Sequence, residues 1–530
     1  MSFKVLVSDP LSQEGIDILQ SHPDVHVDVK PKLPPEDLLE IIDQYHGLVI
    51  RSGTKVTAEV IERAKNLKVV GRAGVGVDNV DIDAATQRGV IVMNTPDGNT
   101  ISTAEHTFAM VMSMARNIPL ANQSLREGRW DRKKYTGTEL FGKTLGVVGI
   151  GRIGSEVGRR ALAFQMKVLA YDPFSSEERL KQLGFEKAEL EDIYREADVI
   201  TVHTPKTKET AHLLDDRAFA MMKKGVRVVN CARGGIIDEE ALARALESGK
   251  CGGAAIDVYE EEPPAEDHPL VKREDCICTP HLGASTEEAQ VNVAVDIARN
   301  VLDVLTGGEV RNAINIPSLP PELRSKLGPY LEIADKLGAF AIQYVGKMPD
   351  KLEVVYAGEL SKYETSFLTT AVVKGLLSVV MDDPVNFVNA PLLAERRNLN
   401  YTETKVGKSG SYANLITVRY QNGDQVAEVS GTIFAEGDPR IVKVDEYRLE
   451  SKPYGTVLFF QNIDRPGIIG QICTVLGKHS INISDMTLGR RQESGYAVTV
   501  CNIDTDVPEG VLEELRQTNA IREIHVIQLG

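Results

Sequence analysis

An arginine, a glutamate and a histidine stand just beyond three successive apolar runs in the middle of the chain. Arg233 follows Val226–Asn230, Glu262 follows Ala255-Ile256-Asp257-Val258, and His281 follows the run 276–279. Runs of this kind read as parallel strands, and ligands of open α/β sheets bind beyond the carboxyl ends of the strands. The three residue types suit the oxidation of an alcohol. Histidine takes a hydroxyl proton near neutral pH. A carboxylate orients the ring and stabilises its protonated form, and an arginine fork grips a carboxylate or polarises a carbonyl. Each has a plainer reading alone: His281 as a loop histidine satisfied by backbone, Glu262 as part of the solvated run with Glu260 and Glu261, Arg233 as a neutraliser of nearby carboxylates. Together, beside a cofactor site, they read as catalytic. His203, also at a strand end, reads as pocket wall, and His106, within a mostly apolar helical stretch, as packing.

The electron acceptor has its own signature at 143–172. The apolar run 145–150 breaks at Gly149, Gly151 and Gly154, a helical stretch follows over 155–164, and a second strand, Lys167–Tyr171, ends on Asp172. Gly149 permits the tight turn, Gly151 lets the backbone approach a pyrophosphate, and Gly154 lets helix pack on strand. The helix N-terminus offers N–H groups and a positive dipole end to the phosphates. Asp172, about 20 residues on, is placed to hold the adenosine ribose hydroxyls and would repel a 2′-phosphate, which favours NAD over NADP. The plain alternative is an ordinary strand-to-helix turn. Gly74-Val75-Gly76 lacks a third glycine, yet backbone N–H groups exposed after a strand can bind a carboxylate.

The elements that must position these residues fall into several cores, because 530 residues exceed what one hydrophobic core supports. Residues 1–97 alternate short apolar runs with amphipathic stretches, a parallel α/β layer. Residues 98–285 repeat strand–helix units around the glycine triplet, and 102–116 reads as a long helix capped by Ser102 or Thr103. A further helix, 289–305, follows the last cofactor strand and is expected to return the chain to the first layer. Residues 286–316 then belong with 1–97, leaving a cleft between two lobes. The proline-rich stretch 315–321 marks a boundary. Beyond it, 317–450 reads as an α+β unit with hairpin signals at Asn422-Gly423-Asp424 and Glu436-Gly437-Asp438. Residues 451–530 read βαββαβ, the ferredoxin-like order. The fold class is therefore α/β: a two-lobed Rossmann-type arrangement with a discontinuous first domain, then an α+β domain and a ferredoxin-like domain.

A formal charge of −16 argues against a nucleic-acid-binding surface. The six cysteines include no CxxC pair, so neither a metal site nor a disulfide framework is expected, and Cys276 and Cys278, two apart in a strand, read as core packing. No apolar run approaches the ~20 residues of a membrane span, and the chain starts directly in a strand, so a soluble cytoplasmic protein is expected.

These residues resemble the D-2-hydroxyacid dehydrogenase family. The likeness runs through Val49-Ile50-Arg51-Ser52-Gly53-Thr54, Gly71-Arg72-Ala73-Gly74-Val75-Gly76-Val77-Asp78-Asn79, Asn230-Cys231-Ala232-Arg233-Gly234-Gly235, Glu262-Pro263-Pro264 and Pro280-His281-Leu282-Gly283-Ala284-Ser285. It implies that Arg233, Glu262 and His281 are the catalytic residues. It implies NAD contacts at Arg152, Ile153, Thr204, Cys231, Asp257 and His281. Arg51, Ser52 and Arg72 would hold a substrate phosphate, with the Gly74, Val75 and Gly76 backbone on the carboxylate. Trp130 with Arg132, Lys133 and Lys134 looks like the family's inter-subunit arm. The tail resembles the long branch of the family, with an intervening allosteric substrate-binding domain and a C-terminal ACT domain. That branch implies oxidation of 3-phospho-D-glycerate to 3-phosphohydroxypyruvate at the start of serine synthesis, a homotetramer, and L-serine as effector. Asn462, Asp464 and Asn482 are the polar candidates for the effector. From the residues alone, Asp464 can cap the helix after Asp464-Arg465-Pro466-Gly467, and Gly467 clears space for a small ligand. The ACT domain as a purely structural dimerisation module, a glyoxylate or hydroxypyruvate reductase, and a non-enzymatic NAD-sensing protein remain as alternatives.

Overall fold

In the computed structural model the described residues are 2–316, 321–381, 384–423, 425–434, 437–490, 495–518 and 520–530. The proline-rich stretch at 317–320, and Asp424 and Glu436 of the two hairpin signals, lie outside them. Four sheets organise the chain.

The first sheet has the order β2-β1-β3-β4-β5, from β1 (Phe3–Val7), β2 (Val25–Val29), β3 (Gly47–Ile50), β4 (Val69–Arg72) and β5 (Ile91–Met93), all parallel. Its strands are apolar on both faces because helices cover both. Leu6, Leu48, Ile50 and Val70 pack with Leu38, Val60 and Ile61 on one side. Val5, Val7, Val49 and Val69 pack on the other with Val293, Ile297, Val301 and Leu305 of the helix Glu287–Thr306. That helix is capped by Thr286, whose hydroxyl accepts from the Ala289 amide, and ends at Gly307 with φ 79°. The chain thus returns to the first sheet after the cofactor strands. Asn315 completes the return by accepting from the Val92 amide at 2.9 Å.

The second sheet is seven-stranded and parallel, in the order β12-β11-β10-β9-β6-β7-β8. Its strands are β6 (Thr144–Val148), β7 (Lys167–Tyr171), β8 (Glu186–Lys187), β9 (Val199–Val202), β10 (Val226–Asn230), β11 (Cys251–Ile256) and β12 (Cys276–Cys278). From β6 the chain builds outward through β7 and then crosses to β9, so a crevice opens between the ends of β6 and β9. The helix Arg152–Ala163 starts directly after Gly151, three residues earlier than the sequence predicts. The helix Thr100–Ala115 likewise starts early, with Asn99 at its N-cap position, so neither Ser102 nor Thr103 caps it. Instead Ser102 Oγ donates to the Gly283 carbonyl at 2.8 Å, tying this helix to the loop that carries His281.

Two helices, Pro321–Val345 and Ser366–Val380, pack on a third sheet ordered β14-β13-β15-β16-β17-β18. Its strands are β13 (Lys351–Gly358), β14 (Asn400–Val406), β15 (Asn414–Asn422), β16 (Gln425–Ile433), β17 (Pro439–Val444) and β18 (Tyr447–Ser451). The fourth sheet, ordered β20-β21-β19-β22, contains β19 (Thr456–Ile463), β20 (Ile483–Arg490), β21 (Tyr496–Ile503) and β22 (Ile521–Gln528). It is antiparallel throughout and alternates its faces with period two. Leu458 and Phe460 face the helices Ile468–Lys478 and Glu509–Gln517. Val457 and Phe459 enter the core of the preceding unit, against Leu337 and Phe340. Asp464 does not cap the helix that follows it. Gly467 occupies the N-cap position, and Asp464 accepts from Arg490 Nε at 2.8 Å and Nη2 at 2.9 Å. No helix among the described residues is long and apolar enough to cross a membrane.

The two long helices touch backbone to backbone through small residues. A Cβ on Gly375 would lie 1.9 Å from the Asp335 carbonyl oxygen, and one on Gly338 would lie 1.9 Å from that of Val372. Gly375→Ala is therefore expected to destabilise this unit by about 1–3 kcal/mol through overpacking. A urea midpoint lower than that of the parent chain is the readout.

Candidate active site

The glycine triplet does what its spacing demands. Gly149 has φ 93°, and a Cβ there would meet the His203 carbonyl oxygen at 2.7 Å. A Cβ on Gly154 would lie 2.0 Å from the Gly149 carbonyl oxygen, so helix and loop meet only through glycine. At Gly151 a Cβ would meet nothing within 4 Å, which leaves open space in front of the first helical turn. Asp172 ties the second strand to this loop, accepting the Ile150 amide on Oδ2 and the Phe174 amide on Oδ1, each at 2.8 Å. A carboxylate has about four lone-pair sites, so two remain for ribose hydroxyls. Arg152 spans towards the first lobe, its Nε 2.5 Å from Asp97. Ile153 is half-buried beside it. The Thr204 hydroxyl, next to Gly149, is buried with no protein partner, as are Asn99 Oδ1 and the hydroxyls of Thr100 and Thr103 across the crevice. An open glycine platform, a free carboxylate edge and orphaned polar atoms around one crevice fit a dinucleotide, since buried polar groups otherwise carry a desolvation cost.

The loop that carries His281 hangs from a buried carboxylate. Asp257, at the end of β11, is 0 % exposed. Its Oδ1 accepts from the Leu282 amide at 2.8 Å and from Thr279 Oγ1 at 2.6 Å, and its Oδ2 accepts from the Gly283 amide at 2.8 Å. His106 Nε2 lies 3.3 Å from Oδ1. Burial alone would push Asp257 up, but the hydrogen bonds from His106, Thr279 and the Leu282 amide outweigh it and hold the carboxyl below its ordinary range. Asp257 thus spends its oxygens on the loop that presents His281. His106 belongs to this polar knot and is not mere helix packing. No signal in the sequence distinguishes it, since its partners arrive from β11 and from the loop after β12.

His281 sits in the left-handed region at φ 53°, with Nδ1 2.8 Å from Glu262 Oε2. Glu262 Oε1 accepts the Tyr259 amide at 3.2 Å, which fixes its orientation. With Nδ1–H directed at the carboxylate, Nε2 carries the lone pair, and the half-exposed ring leaves it accessible. The pairing of Glu262 with His281 read from the sequence is therefore formed.

Arg233 crosses the cleft. Its Nη1 donates to the Ala232 carbonyl at 2.7 Å, its Nε lies 3.5 Å from Asp78, and a Cβ on Gly76 would lie 2.2 Å from its Nη2. Arg72 points to the same place. Its Nε is buried without a partner, and burial together with the charges of Arg233 and Arg51 lowers it to about 10. Three cations therefore converge, offset in part by Asp78 and Asp9. The amides of Gly74, Val75 and Gly76 donate to no protein acceptor among the described residues. Ser52 is exposed in the loop after β3.

Cys231 is buried, and burial with the Asp257 charge pushes its thiol up to about 12. His106, Cys231 and Asp257 place possible metal-binding atoms within 4.8 Å of one another. A protonated thiol and a carboxylate already bonded to the loop make a poor ligand set. The three residues proposed for an effector are not together. Asn462 is buried, its Oδ1 accepting from Thr499 Oγ1 at 2.9 Å and its Nδ2 donating to the Ile463 carbonyl at 3.0 Å. Asp464 pairs with Arg490 at one end of β20, whereas Asn482, at the other end, donates to Asp504 at 2.5 Å.

Comparison with known proteins identifies the family. Residues 108–283 match the NAD binding domain of the D-isomer specific 2-hydroxyacid dehydrogenases. Residues 326–445 match the D-3-phosphoglycerate dehydrogenase intervening domain, and 456–519 match the ACT domain. The chain is 45% identical to D-3-phosphoglycerate dehydrogenase of Synechocystis sp. over 99% of its length and 95% of that protein's. It is 44% identical to D-3-phosphoglycerate dehydrogenase of Methanocaldococcus jannaschii, over 99% and 100% of the two chains. Among solved structures it resembles D-lactate dehydrogenase of Aquifex aeolicus complexed with NAD and lactic acid, with TM-score 0.53 and 29% identity over 59% of this chain and 100% of that one.

His203, beneath the cofactor loop with Nε2 3.0 Å from Thr201 Oγ1, is lowered by burial from 6.5 to about 4. Between those values the unfolded chain binds a proton that the folded chain does not. The stability from this group is complete above the unfolded value and drains as pH falls towards the folded one. Urea unfolding at about pH 7 and about pH 5 should show this loss. His203→Asn should make the two midpoints more nearly equal.

Proposed function

The chain belongs to the D-3-phosphoglycerate dehydrogenase family, and on that premise we propose how its cleft oxidises 3-phospho-D-glycerate to 3-phosphohydroxypyruvate with NAD, at the start of L-serine biosynthesis. The observation that supports a phosphorylated acid is the meeting of Arg51, Arg72 and Arg233 in one cleft, with an orphaned guanidinium nitrogen on Arg72. Like charges held this close favour a multiply anionic ligand. Arg51 and Arg72 take the phosphate, with Ser52 beside them, by charge-assisted hydrogen bonds. The free amides of Gly74, Val75 and Gly76 take the carboxylate. Arg233, between the two, holds carboxylate and carbonyl oxygen as negative charge develops.

His281 Nε2 accepts the proton of the substrate hydroxyl. Glu262 at Nδ1 keeps the ring in the tautomer that can accept it and balances the charge that results. NAD, when bound, supplies the hydride acceptor. Gly149, Gly151, Arg152, Ile153, Gly154 and Asp172 hold it at the crevice, with Thr204 completing the wall. Closure of the lobes over the cleft excludes water. The reading divides the chain into 1–97 with 286–316, 98–285, 317–450 and 451–530. It is supported by the return of the helix Glu287–Thr306 to the first sheet. A cytoplasmic location goes with six free thiols.

L-Serine is the proposed effector of the ACT unit, with Asn462, Asp464 and Asn482 as its contacts. Asp464 and Asn482 lie roughly 25 Å apart along β20 at ~3.3 Å per residue, so one small ligand reaches both only between two copies. A homotetramer is therefore part of the proposal. It is supported by Trp130, 76 % exposed, with exposed Ile118 and Leu125 near it in the chain.

The deciding assay is NADH oxidation with 3-phosphohydroxypyruvate beside unphosphorylated hydroxypyruvate. Arg72→Met should cut kcat/KM for the phosphorylated acid by on the order of a hundredfold, as loss of a buried charge-assisted contact implies, with little change for hydroxypyruvate. Equal losses on both acids would remove the phosphate role. L-Serine should lower the rate of the native enzyme, and Asp464→Ala should abolish that effect. A serine response unaltered by Asp464→Ala would exclude this contact.

A further inference from the structure

Two thiols sit at the root of the catalytic loop. Cys276 and Cys278 begin and end β12, the edge strand of the cofactor sheet, which pairs only with β11. Residues two apart in a strand share a face, and here their Sγ atoms are 3.7 Å apart. Cys276 is buried and Cys278 is half-buried. The remaining cysteines lack such a neighbour in bonding contact: Cys231, Cys251 and Cys501 are buried, and Cys473 lies in the ACT unit. His281 follows Cys278 by three residues.

We propose that Cys276 and Cys278 are a modification site, closed to a disulfide by a peroxide and reopened by a dithiol, and that closure withdraws His281 from the cleft. The bond forms only if the backbone moves. Residues two apart in a strand have Cα atoms about 6.6–6.8 Å apart, at the upper end of the ~4.4–6.8 Å range of disulfides. The sulfurs must approach from 3.7 Å to about 2.05 Å, which bends the strand. An edge strand can bend without breaking a second ladder. The bend falls on the contacts that place the loop. The Thr279 amide donates to the Ile256 carbonyl at 3.0 Å, Tyr259 Oη donates to the Thr279 carbonyl at 3.0 Å, and Thr279 Oγ1 donates to Asp257 at 2.6 Å.

The chemistry balances. Cys278, as thiolate, attacks the O–O bond of hydrogen peroxide and becomes a sulfenic acid, and the departing hydroxide takes up the released proton as water. The Cys276 sulfur then attacks the sulfenic sulfur, the S–S bond forms, and a second water leaves with the Cys276 proton. Two thiols lose two electrons and one peroxide gains them. The hydrogen bond between the thiols favours the thiolate at Cys278 and keeps Cys276 protonated.

The effect on turnover rests on His281 as the proton acceptor, whereas formation of the bond does not, so the two are read separately. The full-length enzyme is treated with hydrogen peroxide, and the peptide spanning 276–278 is analysed by mass spectrometry with and without a dithiol. The expected result is loss of two hydrogens from that peptide. Turnover should fall on the order of a hundredfold, the scale of a ~1 Å misplacement of a reacting group. Both changes should reverse with dithiothreitol. Cys278→Ser should keep its basal rate and resist peroxide. Cys276→Ser should stop at the sulfenic acid, which dimedone traps. A peptide whose thiols still alkylate after inactivation, a disulfide that leaves turnover intact, or a Cys278→Ser enzyme as sensitive as the parent would each overturn the proposal.

Discussion

A carboxylate with no exposure to solvent is the constraint on which the active site depends. An ionised Asp257 at the end of β11 is tolerated only if its oxygens are fully hydrogen-bonded, because an isolated buried charge is far costlier than any single packing defect. The chain meets that demand by folding the segment 279–283 back over it, with two amides and a hydroxyl donating to one side chain. The residue inside that fold is His281, in a left-handed backbone conformation that a free loop would rarely hold. The electrostatics of Asp257 therefore set the place of His281, and Glu262, steadied by the Tyr259 amide, sets its tautomer. His106 ties the same carboxylate to the helix Thr100–Ala115, so the loop is held from the inter-lobe side as well.

Facing this loop is the opposite arrangement, cations without enough anions. Arg72 is largely buried yet lacks a partner on Nε, and Arg233 and Arg51 add to its discomfort. Such strain is stable only because the first sheet beneath it is anchored elsewhere. The helix Glu287–Thr306 fills one face of that sheet with Val293, Ile297, Val301 and Leu305. A chain segment that emerges from the cofactor sheet thus completes the core of the lobe that carries Arg51 and Arg72. Chain continuity, not only surface contact, links the two halves of the cleft, and this suits hinge closure around a substrate.

The C-terminal half is built on a different economy. The fourth sheet gives one face to its own helices and the other to the core around Leu337 and Phe340, so these two units share a continuous apolar interior. The helices Pro321–Val345 and Ser366–Val380 meet through Gly338 and Gly375, an approach too close for any Cβ. Close-packed interiors transmit small displacements poorly absorbed by side-chain rearrangement. A ligand-induced shift at the ACT unit would therefore reach the intervening unit as movement of whole elements.

Much of this was legible in one dimension. Apolar runs two layers deep in Val and Ile, the triplet Gly149, Gly151 and Gly154 before a helix, and the acid Asp172 at the next strand end carry their meaning locally, because turn geometry and strand periodicity involve neighbours in sequence. The positions of Arg233, Glu262 and His281 at strand ends were legible for the same reason. What the sequence could not express were contacts made at long separation. Asn99, not Ser102 or Thr103, begins the long helix, since Ser102 is drawn to Gly283 far along the chain. His106 looked like packing because its partners Asp257 and Thr279 come from other elements. Asp464 looked like a cap because Arg490, across the sheet, could not be foreseen as its partner. By itself the sequence determined the elements, their order and the residue types at their ends. Only the tertiary structure decided which charges meet, because electrostatic pairing and burial depend on distances that close when the sheets form.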